Sequence, residues 1–218
     1  MRINRERREL NVAYERNLVP ELRANPVYLG ANRGWLSGIM SKAGPTIALT
    51  PSQAELDNPV LRFYFDYWHR KRGGNAMPSR ADINPSELRP YLGSIILLEA
   101  LPGLDDFRYR LIGTRVTDYF LGDATGTTIR EAYALSEMNT PHVDSIISLH
   151  RTVCESKMIV RVKGPQGEWR GQLYPPFDAL YLPLSDDGVI ANMILTAFTF
   201  DSAQLRAARP EHSPVKPV

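Results

Sequence analysis

A single cysteine, Cys154, in 218 residues rules out an intrachain disulfide framework and any cysteine-rich zinc or iron–sulfur site. No run approaches the ~20 consecutive apolar residues that a membrane-spanning helix needs. The opening MRINRERRELN lacks the apolar core of a secretory signal, so the expected address is a reducing cytoplasm without membrane insertion. A net charge of +2 is too small to advertise nucleic acid as a partner. Catalytic signatures are missing too: there is no Gly-x-Ser-x-Gly, no phosphate-loop Gly-x-x-x-x-Gly-Lys-Ser/Thr and no His-Glu-x-x-His. Gly73-Gly74-Asn75 lacks the acidic continuation of a cyclic-dinucleotide synthase signature. The expectation is a protein that is not an enzyme.

What is present is an ordinary globular composition, 43% apolar and 23% charged, with its charge unevenly placed. Residues 1–50 hold eight Arg/Lys against four Glu, a balance of +4, whereas residues 51–200 hold 15 basic and 18 acidic side chains, a balance of −3. This divides the chain into a basic N-terminal extension and linker (1–53), an apolar-rich body (54–200) and a tail (201–218). Within the extension Leu10, Tyr14, Leu18 and Leu22 recur every fourth residue, and Pro20 limits any helix there to about residues 3–19. The stretch from Ala24 to Ser52, rich in Gly, Pro, Asn and Ser, reads as a linker.

The body punctuates itself. Asn58-Pro59 is a cap followed by a proline at the first helical position, Leu61, Tyr64, Phe65 and Trp68 then share one face, and Gly73-Gly74 stops the helix. Asn84-Pro85-Ser86-Glu87 predicts a second, short helix. Ser94–Leu101 and Phe107–Ile112 read as two strands of a hairpin across Pro102-Gly103-Leu104-Asp105-Asp106. Thr114 opens a short helix through Phe120, and Thr140-Pro141 opens a longer one to about Glu155. Strands follow at Ile159–Lys163, Trp169–Leu184 and Val189–Phe200. The class is α+β with a mostly antiparallel sheet.

Met77-Pro78-Ser79-Arg80-Ala81-Asp82-Ile83-Asn84-Pro85, Tyr109-Arg110-Leu111-Ile112-Gly113-Thr114 and Gly122-Asp123-Ala124-Thr125-Gly126, with the preceding YWHRKRGG segment, make residues 58–200 resemble the bacterial single-domain PAS family. The resemblance implies a five-stranded antiparallel sheet with helices packed on one face and a small internal cavity. It also implies a sensory or regulatory role in signalling, with a small-molecule ligand in the core, a signalling protein partner, a homodimer, or a combination of these. It names no cofactor. The alternative is a ligand-free protein–protein adaptor or dimerisation module, and a remoter one is an enzyme on the same scaffold. Only eighteen residues follow Phe200, so the expected output passes through a partner or through the extension.

His150 falls on the apolar stripe of its helix with Val143, Ile146, Ile147, Val153 and Cys154. The favoured reading is a buried neutral imidazole bonded to a neighbour; the functional one is a ligand contact, even a haem iron, as on a related helix in some PAS sensors. Cys154 reads as a small buried hydrophobe. Arg108 and Arg110 alternate with Phe107, Tyr109 and Leu111, which puts the guanidiniums on the exposed sheet face unless a bulge turns Arg110 inward to fork a carboxylate or phosphate. Tyr119, Arg130 and Tyr133 flank the turn that borders the cavity in PAS folds and are candidate pocket residues on that resemblance alone. Arg80 and Asp82 read as an architectural pair that ties a loop.

Overall fold

The computed structural model describes residues 46–119, 122–134, 140–165, 167–169 and 172–201. The basic segment 1–45, the tail from 202 and Phe120 lie outside them. In chain order the elements are β1 (Thr46–Leu49), α1 (Pro59–Arg72), β2 (Ile95–Ala100), β3 (Phe107–Ile112), α2 (Thr114–Thr117), α3 (Ile129–Ala134), α4 (Thr140–Ser156), β4 (Val160–Gly164), a small hairpin of β5 (Gly167–Trp169) and β6 (Gln172–Tyr174), β7 (Phe177–Leu184) and β8 (Met193–Phe200).

The main sheet is antiparallel, in the order β1-β4-β7-β8-β2-β3. Five of its strands match the expected sheet. The sixth, β1, lies in the stretch read as linker and pairs Thr46 with Lys163 through Leu49 with Val160, so the folded unit starts upstream of residue 54. Four residues behind Gly44-Pro45 are too short a run for periodicity to pick out.

α1 starts and stops as its sequence dictates. Asn58 Oδ1 accepts from the Val60 amide at 2.9 Å, Pro59 takes the first turn, and Gly73 ends the helix at φ 52°. The proposed helix at Asn84–Glu87 is instead a string of turns: Asn84 Oδ1 accepts from the Ser86 amide at 3.0 Å, and a 3-10 segment follows at Arg89–Ser94. The single strand foreseen over Trp169–Leu184 is broken at Pro175-Pro176, which have no amides to give a ladder. Arg80 and Asp82 do not pair. Asp82 ties the loop by accepting from the Ser79 amide and hydroxyl, while the Arg80 guanidinium donates to the Ile83 carbonyl at 3.1 Å.

Both faces of the sheet are covered, which differs from helices on one face alone. Every residue from Ala179 to Leu184 and from Met193 to Phe198 is buried, the continuous pattern of strands packed on two sides. One face meets α4. The other carries Leu180, Leu182, Leu195 and Arg161, and lies against α1 and the 3-10 turn Gln53–Glu55 that precedes it. Trp68 anchors α1 there, its indole N–H donating to the Pro183 carbonyl at 2.7 Å. Trp68 therefore packs with α1. Arg161 forks Asp178 (Nε–Oδ1 2.9 Å, Nη2–Oδ2 2.5 Å) and donates to the Glu55 carbonyl, which satisfies a guanidinium that is largely buried.

Candidate functional site

Register places the site. Tyr181 stands directly across from Thr196, Thr196 from Ile96, and Leu98 from Tyr109, so these side chains share the face beneath α4. α4 carries its apolar stripe toward this face and presents His150 in the middle of it. The imidazole is buried, 5% exposed, between the rings of Phe107 (centroids 5.2 Å apart) and Tyr181 (5.3 Å, edge-on).

Burial disfavours the imidazolium and pushes the His150 pKa down from 6.5 to about 4, against a smaller opposing pull from the Ile146 carbonyl and from Asp106. Near pH 7 the ring is neutral. Nδ1 lies 2.7 Å from the Ile146 carbonyl, an atom that only accepts, so Nδ1 carries the proton. Nε2 is then the acceptor nitrogen of the ring. Nearby, Tyr109 is buried and its phenol is pushed well above the ordinary range, first by burial and then by Tyr133 and Tyr181. Thr196 is 1% exposed, and its hydroxyl has no hydrogen-bond partner among the described residues.

The five candidate side chains separate. His150 and Tyr133 come to this face, Tyr133 half-buried on α3 beside Tyr109. Tyr119 packs against Phe200, with tilted rings whose centroids lie 4.6 Å apart, at the far end of β8 and about 13 Å along the strand from Thr196. Arg110 stands outside. Leu97 pairs with Leu111 but Leu98 with Tyr109, so Arg110 is the extra residue of a bulge, yet its half-exposed guanidinium lies 3.7 Å from Glu99. Arg130 also stays at the surface, with Nη1 2.8 Å from Asp144, and so fastens α3 to α4. The guanidiniums thus frame the face without entering it.

Sequence reasoning passed over Thr196, Tyr181 and Tyr109. A signal for the first was there: Thr196 is the lone hydroxyl amid the buried run Met193–Phe198. Cys154, buried with its thiol pushed up to about 12, keeps the inert character expected of it. Among the described residues no group of three or more His, Cys, Asp and Glu could hold a metal ion. None of their helices is long and apolar enough to cross a membrane.

A six-stranded antiparallel sheet with helices on both faces, one of which aims a polar group at it, defines an α+β domain as the broad class. The family model described as PAS domain matches residues 56–195, well over half of the chain, and the chain belongs to that family. Among solved structures it is similar to one described as "Structure of an RNA-binding Light-Oxygen-Voltage Receptor", at 11% identity and a TM-score of 0.38, covering 77% of this chain and 40% of that one. No curated protein matches the chain.

Proposed function

We propose that this PAS domain is a sensor for a small, uncharged molecule that lies against the inner face of the sheet under α4. The observation that carries this reading is Thr196, whose buried hydroxyl lacks a partner where native proteins nearly always supply one. His150 Nε2, an acceptor held in one tautomer, is its complement on the helix side. The ligand chemistry follows. Imidazole and phenol are neutral, and Arg110 and Arg130 are spent on surface carboxylates, so a phosphate or carboxylate finds no countercharge here. An apolar molecule with one N–H or O–H for Nε2 and one acceptor for the Thr196 hydroxyl fits. The module performs no chemistry of its own: occupancy shifts α4 relative to the sheet, and a partner reads the change.

Denaturing mass spectrometry of the purified protein, followed by a thermal-shift screen of uncharged metabolites, tests this. A ligand at 100 times its Kd adds ~2.7 kcal/mol of stability. His150→Phe keeps the ring packing, removes the acceptor, and should cut that gain to a small fraction. A protein that purifies empty and ignores the screen, or whose ligand survives His150→Phe unchanged, would overturn the reading.

A further inference from the structure

Where β2 ends and β8 begins, the protein carries an apolar groove of 670 Å³ between the last turn of α4, the 3-10 turn Pro102–Leu104 and the loop before β8. Leu101, Leu104 and Ala191 form part of its wall, and Val189 and Ile190 form a lip. Those two are the exposed large hydrophobics of the described residues, at 62% and 63%. The loop holds them out firmly. Asp187 Oδ1 accepts from both the Val189 and Ile190 amides at 2.7 Å, and the Ser185 hydroxyl closes the turn on the Ile190 carbonyl at 2.6 Å. A pair of β-branched side chains fixed in water is what an interaction surface looks like before it is covered.

Its electrostatics select the occupant. Glu99 and Glu155 line the groove beside Lys157, and Asp105, Asp186 and Asp187 stand on the adjoining turns. With Arg110 3.7 Å from Glu99 and Arg151 3.7 Å from Asp105, five acids face three bases, so an acidic excess remains. α4 finishes here with no basic residue in its last turn, so the negative end of the helix adds to the acids. The partner should be apolar along one side and basic along the other. Residues 1–50 of this chain have that character, with eight basic against four acidic side chains and Leu10, Tyr14, Leu18 and Leu22 at every fourth position.

Distance allows it. Thr46 lies four strand spacings from β2, ~19 Å, and, through Lys163, Asp178 and Thr199, some six residues or ~20 Å along the strands from Met193. The straight line is thus about 28 Å. Residues 24–45 can span up to ~73 Å when extended, and a free coil of that length averages ~26 Å. The tether matches the gap, the condition for a high effective concentration.

We infer that the groove is the docking site of the chain's own residues 3–22, folded back in cis with the leucine series against the Val189/Ile190 lip and arginines over Glu99 and Glu155. The arm then bridges α4 and the β7–β8 loop, both attached to the inner face.

Disulfide trapping in the full chain tests it. In a Cys154→Ser background, Leu18→Cys is paired with Ile190→Cys, or with Lys163→Cys as a distant control, and oxidised at micromolar protein. The expected product is an intrachain disulfide with Ile190→Cys, formed at least tenfold faster than with Lys163→Cys and slowed by Glu99→Lys/Glu155→Lys. In parallel, Val189→Ser/Ile190→Ser should speed tryptic cleavage after Arg16 about tenfold, and because both sites are exposed that variant folds normally. Equal trapping at the two positions, or unchanged cleavage, overturns the inference. A disulfide formed only between two chains overturns it as well, in favour of a second copy as the donor.

Discussion

At the scale of single residues, His150 shows how far a helical stripe can be read. Spacing alone put it on the buried side of α4, and the structure keeps it there, neutral and bonded to Ile146. Arg110 shows the opposite. Alternation could not say whether a bulge existed, because a bulge depends on how β2 and β3 register, a long-range fact that no local pattern encodes. His150 also carries a pH prediction. Its imidazole titrates near 6.5 when the chain is unfolded and near 4 when folded, so the unfolded chain binds the extra proton between those values. Stability should be full above pH 6.5 and fall by ~3 kcal/mol as pH drops to 4. The carboxylates that the fold holds low lose their contribution only below their ordinary values, 3.8 for Asp82, Asp123 and Asp187 and 4.5 for Glu55 and Glu87, so the range from pH 6.5 to about 5 belongs mainly to His150. Urea unfolding at pH 7.5, 6 and 5 reads the slope, and His150→Gln should flatten it. A wild-type curve already flat across that range would mean that His150 is not buried in its neutral form.

At the scale of elements, capping chemistry is the part most legible in sequence. Asn58-Pro59 and Gly73 bound α1 to the residue, because the cap, the proline and the glycine are local requirements that no neighbour needs to supply. The same chemistry was present and passed over at α3. The Glu131 carboxylate accepts from the Thr128 amide at 2.8 Å while the Glu131 amide donates to the Thr128 hydroxyl at 3.2 Å, a reciprocal box over four residues. Glu131→Ala should cost about 1 kcal/mol, seen as a melting temperature ~2–4 °C lower. Val189 marks the other limit. It looks like the first residue of a strand, yet Asp187 captures its amide and delays β8 to Met193. Gly113, in the stretch that carries the PAS resemblance, is an element boundary of a different kind. A Cβ there would lie 2.3 Å from the Gly93 carbonyl oxygen, and the Gly113 amide donates to Ile95 at 2.7 Å, so the β3–α2 junction closes directly on the start of β2. Gly113→Ala must push the backbones apart, at a cost of ~2–3 kcal/mol. An alanine variant with an unchanged urea midpoint would show that this junction yields freely.

At the scale of the whole molecule, the division of labour follows from a sheet buried on both sides. α1, Trp68 and the Arg161–Asp178 fork hold one face, where the fork and the Trp68 indole have their partners although Tyr64 Oη and Arg72 Nε on α1 have none among the described residues. α4 covers the other, where Thr196 has none. Continuous apolar runs in β7 and β8 already signalled coverage on two sides, but which helix takes which face depends on chain path, and sequence periodicity carries no information on path. The contrast sets up a paired test, because α1 also holds one unpartnered buried hydroxyl, that of Tyr64. Removing an unpaired hydroxyl from a core relieves its desolvation, so Tyr64→Phe and Thr196→Val should each raise the stability of the empty protein by about 1 kcal/mol. Their effects on ligand must then diverge. Tyr64→Phe lies across the sheet from the inner face and should leave both the co-purified molecule and its thermal shift intact. Thr196→Val should lose at least tenfold in affinity while melting higher, the mark of a group retained for binding at the expense of stability. If the two variants bind alike, the orphan hydroxyl on the inner face is no more functional than the one on α1, and the site lies elsewhere.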